Sequence, residues 1–463
     1  GFLKQDPPFC YSFFLVYYKK MELKGKKILQ MGLGILGGGV ATARFLVEHG
    51  ADLTVTDMKD ETALKLSLDK FNDLKGKIKF VLGKHREIDF LQNDIIVINP
   101  DVPVGNKFVK LAREAGKQIE NELTLFYKFC PSKKIVAVTG TRGKTTTVNW
   151  IGHILKSQNT NTLMLGNSPE KPLLQEIKNC NENTNVVIEA PSFLLEICDH
   201  SKFAPHIAVI TNIYQDHINR HKTMEEYARV KSNIFKHQNE NDFLILNKNN
   251  EWTQFFLNQK IKSKVLFFSE ENLMENENEF IKHWGEHNLQ NFRIAYLVAH
   301  NLGISSKEIN EQISSLPQIK FRQEKIFDNG KLQIYNDTTA TSPDALMAAM
   351  ERFLLDREKV VFISGGTDRE LDFKQWAEIT KKLIKPENLI LLSGSATEKM
   401  KNLLGLDNFN EFGSLEECFK KALEIVEKEE KAKIIFSPGA KSFEKFKNEF
   451  DRGEQFNLLV NQL

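Results

Sequence analysis

Short apolar runs alternate with amphipathic stretches along most of the chain. Apolar, β-prone runs at 27–31, 52–56, 95–98, 135–138, 163–165, 185–189, 207–210, 332–335, 360–363, 389–392 and 433–436 predict strands. Helical spacing follows several of them: up to His49, over 107–115, from about Thr145, over 287–301, over 343–353 with Pro343 at the start, and over 415–427. Strands alternating with helices in this way predict α/β architecture, with mainly parallel sheets covered by helices. The segment 248–279 is polar and Asn-rich with short apolar islands, so edge strands and surface loops are expected there. Composition breaks near Cys130-Pro131 and at 314–317, and no repeat period is visible.

Length and charge narrow the class. At 463 residues the chain is long enough for about three domains, each with its own core. Its 63 basic and 61 acidic residues give a net charge of +2, which argues against a nucleic-acid-coating or polybasic membrane protein. Any anion must then be held by local geometry. Five cysteines lie far apart without a CxxC pair, the pattern of reduced thiols and not of a disulfide framework or zinc site. The aromatic run 11–18 is too short to span a bilayer. Translation is expected to start at Met21, with residues 1–20 an extension outside the fold.

The strongest chemical signal follows the run 135–138. Gly140-Thr141-Arg142-Gly143-Lys144-Thr145-Thr146 joins a strand to a helix, the arrangement in which backbone N–H groups and a helix N-terminus surround phosphate. Lys144 adds a point charge, and the Thr145 hydroxyl suits the Mg²⁺ that accompanies a triphosphate. Val138 stands where the strict phosphate-loop pattern has its first glycine, so the match is to a shorter variant, Gly-Thr-x-Gly-Lys-Thr-Thr. Two later strands end in polar residues, Glu189 and Thr211-Asn212, at the edge where a parallel sheet gathers its ligands.

A second glycine loop, Gly32-Leu33-Gly34-Ile35-Leu36-Gly37, follows the first strand, and Asp57 stands twenty residues after Gly37. This satisfies the dinucleotide fingerprint, which places a helix N-terminus against a diphosphate and an acid against a ribose or ring. Alone, it does not specify a nicotinamide cofactor.

Taken in order, four stretches resemble the Mur ligases, the ATP-dependent amino-acid-adding enzymes of peptidoglycan synthesis. They are the 140–146 loop, Glu189-Ala190-Pro191-Ser192-Phe193, Asp216-His217 followed by Tyr227-Ala228-Arg229-Val230-Lys231, and Glu286-His287-Asn288-Leu289-Gln290-Asn291. The segments 335–343 and 437–446 are similar to those of the members that add D-glutamate. The resemblance implies a three-domain Mur ligase architecture: a Rossmann-like UDP-substrate domain over 21–131, a central P-loop NTPase-like parallel sheet over 132–317, and a Rossmann-like amino-acid-binding domain over 318–463. It also implies ATP and Mg²⁺, with UDP-N-acetylmuramoyl-L-alanine and D-glutamate as substrates, in a cytoplasmic monomer without nucleic-acid or membrane partners.

Site residues carry over position by position. Lys144, His217 and Lys231 are implied as catalytic, and Thr145, Glu189, His217 and Lys231 as metal ligands, with Lys231 carbamylated so that a cation becomes an oxygen ligand. Gly140, Thr141, Arg142, Gly143, Lys144, Thr145, Thr146, Asn291, Arg322 and Asp337 fall on ATP-binding positions. Gly34, Ile35, Leu36, Gly37, Asp57 and Asn167 fall on the UDP-substrate side, and Thr341, Arg369, Ser442 and Phe443 on the D-glutamate side. The chain departs from the family pattern at Leu36, Asp101, Pro191, Thr339 and Arg369, without removing an implied Mg²⁺ ligand. Two other readings stay open: a folylpolyglutamate synthase-like ligase, which would lack the unit from Gly32 to Asp57, and a catalytically idle nucleotide-binding protein. A nicotinamide-dependent dehydrogenase rests on the fingerprint alone.

Overall fold

The computed structural model describes residues 22–35, 37–166, 172–268, 277–355, 358–405 and 409–463. Leu36 and Asn167, both expected to face substrate, lie outside the described residues. Three sheets are stacked along the chain. The first is wholly parallel and runs in the order Ile78–Leu82, Asp52–Asp57, Lys27–Met31, Ile95–Ile98, Gln118–Glu120. The second is also wholly parallel: Lys264–Phe267, Phe243–Leu246, Ile207–Ile210, Ile135–Thr139, Asn185–Glu189, Thr162–Leu165. In the third, Glu324–Asp328 pairs antiparallel with Leu332–Asn336, and the other strands are parallel.

These strands read as unbroken apolar runs because helices cover both faces of each sheet. Ile135–Thr139 is buried at all five positions, and so are Asn185–Glu189 and Ala432–Phe436. Burial is uneven between the sheets in one informative way. The first and second share a contiguous apolar core, in which Leu123, Leu125 and Phe126 pack with Leu195, Cys198 and Phe203. The third sheet keeps separate cores on its two faces, around Trp376 and Phe362 and around Phe419 and Phe456. Polar contacts also join the third unit and its connecting segment to the second. Trp150 donates from Nε1 to the Pro317 carbonyl at 3.0 Å, fixing the start of the connecting segment, and Arg352 donates to the His283 carbonyl at 2.5 Å.

Register delivers the functional loops side by side. In the second sheet Val138 pairs with Glu189 and Thr139 with Ile210, so Gly140, Glu189 and Thr211 leave the same edge. In the third, Asn336 and Ile363 both pair with Phe436, which brings Asp337 next to Ser437. Strands and helices at the expected positions recur within one or two residues. The segment 248–279 differs: it contains the helix Thr253–Leu257 as well as the edge strand Lys264–Phe267, because Trp252, Phe255 and Phe256 turn onto the shared core.

Candidate active site

The three sheet edges enclose a cleft of about 1200 Å³. Its wall includes Gly32, Gly34, Ile35, Gly37 and Gly38 of the first unit, residues 141–146, Glu189 and His217 of the second, and Arg322, Asp337, Thr341 and Lys441 of the third.

The phosphate loop is shaped by its glycines. Gly143 has φ +82°, and a Cβ there would lie 2.3 Å from Asn291 Oδ1, so only glycine lets the loop pass under that side chain. Fourteen residues of helix, Lys144–Ser157, follow at once and leave their first N–H groups free at the cleft. Lys144 donates from Nζ to the carbonyls of Gly140 at 3.0 Å and Thr141 at 3.1 Å, while burial holds its pKa below the usual lysine value against the pull of Glu189. The Thr145 hydroxyl donates to Glu189 Oε2 at 2.8 Å and accepts from Arg322 Nη2 at 3.2 Å. Asn291 accepts from the Thr147 hydroxyl at 3.2 Å and donates to Asn288 at 2.8 Å.

A cationic layer lies behind this loop. Lys231 is 1 % exposed, and its Nζ donates to the Gly140 carbonyl at 3.0 Å and to Thr139 Oγ1 at 3.2 Å. Its ammonium also sits 4.7 Å from the Tyr227 ring centroid. Burial, reinforced by Lys144, drives its pKa well below the ordinary value. His217, at φ +54°, is pushed down to about 4 by burial with help from Lys231, Lys144 and Lys441, although Asp216 opposes the shift. Burial pushes the Asp216 carboxyl up, yet His217, Arg142 and Lys441 together hold it below its usual value.

The third unit reaches in through several side chains. Besides Arg322, Arg142 donates across the boundary from Nη2 to Ser342 Oγ at 2.9 Å. Asp337 accepts from Ser437 Oγ at 2.8 Å and from the Gln323 N–H at 3.1 Å, and burial raises it to about 7. Lys441 donates to Thr341 Oγ1 at 3.1 Å. Its position inside the 437–446 segment was the available signal for it, and a lysine taken alone was not enough. The fully buried Arg452 holds both of these loops by donating to the carbonyls of Thr338, Ala440 and Lys441.

Some expected residues stand away from the cleft wall. Asp57 accepts backbone N–H groups of Leu33 at 2.8 Å and Gly34 at 3.1 Å through Oδ2, and of Lys59 through Oδ1, so it shapes the first glycine loop. Arg369 stacks on Phe443 at 4.5 Å, a pair outside the cleft wall, and Ser442 borders a small separate hollow with its hydroxyl unpaired. Gly34, Ile35 and Gly37 do line the cleft. Among the described residues no three His, Cys, Asp or Glu side chains converge as a metal site. The hydroxyl and carboxylate oxygens of Thr145 and Glu189 form a hard-oxygen pair that suits Mg²⁺ beside phosphate.

Residues 138–307 match the family of the Mur ligase middle domain, and residues 26–121 match that of the Mur ligase MurD-like N-terminal domain. The chain is 34% identical over 473 residues to a UDP-N-acetylmuramoylalanine--D-glutamate ligase of Roseiflexus sp., covering 95% of this chain and 99% of that protein. A protein of the same name from Borreliella afzelii is 35% identical over 461 residues, covering 96% and 99%. Among solved structures, the UDP-N-acetylmuramate-alanine ligase of Thermotoga maritima superposes with a TM-score of 0.55 at 18% identity, covering 94% of this chain and 99% of that one. The MurF ligase of Thermotoga maritima, solved in complex with ADP, gives 0.57 at 16% identity, covering 96% and 97%. These two likenesses concern the fold.

Proposed function

The chain belongs to the Mur ligase family, and on that premise we propose that it is an ADP-forming ligase that joins D-glutamate to UDP-N-acetylmuramoyl-L-alanine. The observation that carries this reading is the single cleft onto which a diphosphate-type loop, a phosphate loop and the amino-acid-side residues Thr341 and Lys441 all open. Full-length likeness to ligases of that name supports the choice of substrates. The units proposed to divide the work are 21–131 for the UDP substrate, 132–317 for ATP and 318–463 for the amino acid. The place of action is the cytoplasm, during peptidoglycan precursor synthesis. No helix among the described residues is long and apolar enough to cross a membrane.

The chemistry has to bring a carboxylate against a γ-phosphate, two groups that repel. In the proposed sequence the alanyl carboxylate attacks the phosphate, ADP leaves, and the resulting acyl phosphate takes the amine of D-glutamate and releases phosphate. Electrostatic organisation supplies most of the acceleration in such a step. Lys144 and the free N–H groups of its helix would hold the phosphates. Arg322, a planar five-donor cation already touching Thr145, would neutralise charge on the transferred group. Mg²⁺ held by Thr145 and Glu189 would supply Lewis acidity there. Asp337 would accept from the ribose and Asn291 would face the adenine.

A neutral histidine can serve as a metal ligand, which fits His217. A neutral lysine amine can attack CO₂: the N–C bond forms, a proton leaves, and an anionic carbamate remains. The burial of Lys231 therefore supports its proposed carbamylation. ADP release that requires both UDP-N-acetylmuramoyl-L-alanine and D-glutamate tests the function. ATP hydrolysis indifferent to both would favour the idle nucleotide-binding protein.

A further inference from the structure

One carboxyl in the cleft wall has no part in the chemistry above. Glu122 opens the helix Glu122–Phe129, and its Oε2 lies 3.9 Å from the place a Cβ on Gly38 would take. Gly38 begins the eleven-residue helix Gly38–Glu48, whose free N–H groups form the anion-binding end of the first glycine loop. The backbone N–H groups of Leu173 and Leu174 point at the same carboxyl from the second unit. Oε1, by contrast, is shielded from solvent and has no hydrogen-bond partner among the described residues. Gln30 fixes the underside of this loop by donating to the carbonyls of Gly32 and Gly39 at 3.2 and 2.8 Å.

A carboxylate beside an anion-binding helix end would repel a diphosphate, whereas a carboxylic acid can donate to it. We propose that Glu122 meets the UDP-linked substrate as the neutral acid and donates a hydrogen bond from its carboxyl to the diphosphate, so that binding takes up one proton from solvent. The proposal rests on the reading of the first unit as the UDP-substrate domain. Its electrostatics are simple. Burial pushes Glu122 up to about 7, the amides of Leu173 and Leu174 pull it down, and no charged neighbour contributes. Lys59 and Asp101, the charged residues of the first unit that line the cleft, do not enter that balance. A diphosphate nearby would raise Glu122 further, because like charge disfavours the ionised form. Glu122 also ties the first unit to the second, and the proton would accompany substrate into that seam.

Calorimetric titration of the full chain with UDP-N-acetylmuramoyl-L-alanine, in buffers of different ionisation heat at pH 8, reads the proton directly. The wild type should take up about 0.9 proton, the fraction ionised in a group titrating near 7. Its Kd should weaken by up to about tenfold per pH unit between 7 and 9. Glu122→Gln keeps a donor without a titration, so its uptake should vanish and its Kd should be flat over that range. Wild-type binding without uptake, or a pH slope retained in Glu122→Gln, would overturn the role of Glu122 alone. Absence of any binding would overturn it together with the reading of the first unit.

Discussion

Arg322 donates a hydrogen bond from Nη2 to the Thr145 hydroxyl at 3.2 Å, across 177 positions of sequence. The third unit is thereby seated on the phosphate loop, with Arg142 and Ser342 as a second tie. Arg322→Ala should lower kcat by about 10²- to 10³-fold, the usual cost of losing one stabilising donor in phosphoryl transfer. Arg322→Lys keeps the charge but loses the planar fork, so it should recover only part of the loss. Steady-state kinetics with saturating ATP decide this, and an unchanged kcat in Arg322→Ala would remove the arginine from the chemistry.

Lys231→Ala should cut turnover by at least about a hundredfold. A short carboxylic acid added to the assay should restore part of it by refilling the space of the carbamate. Wild-type activity should fall in CO₂-depleted buffer, whereas the variant should be indifferent to it. Full activity in Lys231→Ala would contradict a ligand role.

Asp337 links the nucleotide site to stability. Its folded-state pKa of about 7 lies above the unfolded value of 3.8, so the folded chain binds the proton more tightly. Stability from this group is present below about pH 4 and is lost as pH rises to about 7, by at most about 4 kcal/mol. Asp337→Asn keeps an acceptor for the Gln323 N–H and should flatten that slope. Denaturant titrations at pH 5 and pH 8 would show the variant gaining on the wild type at the higher pH. ATP affinity should drop at the same time.

Arg220 bridges the first two units: it donates to Glu196 and to the carbonyls of Pro100, Asp101 and Val102. Both side chains of the Arg220–Glu196 pair are largely buried. Arg220→Ala leaves Glu196 without that cation and should cost about 3–5 kcal/mol. Chemical unfolding measures the loss. A value below 1 kcal/mol would mean that the apolar core around Phe126 and Phe203 holds the two units together without it.

Much of this protein is legible in its sequence because buried parallel strands must be written as continuous apolar runs. Ile135–Thr139, Asn185–Glu189 and Ile207–Ile210 are therefore unmistakable, as is the glycine loop that turns at Gly143. Two edge strands, Ile78–Leu82 and Glu324–Asp328, escape because they are half-covered and carry mixed residues, and the short interior strand Phe243–Leu246 escapes as well. So do roles that depend on distant partners. Asp57 fits a ligand-facing acid by spacing, yet the loop it could reach from its strand end is its own. Glu122 and Lys441 acquire their significance only from what the three sheet edges bring beside them. Arg452 looks like a surface cation of a charged helix until its five bonds to loop atoms are seen.

The most direct measurement is a coupled phosphate-release assay with ATP and UDP-N-acetylmuramoyl-L-alanine, run in parallel with D-glutamate, L-glutamate, L-lysine, L-alanine and meso-diaminopimelate. A three-unit cleft built for D-glutamate ligation predicts stoichiometric phosphate with D-glutamate and background with the others. Release with another acceptor, or release independent of any acceptor, would contradict it.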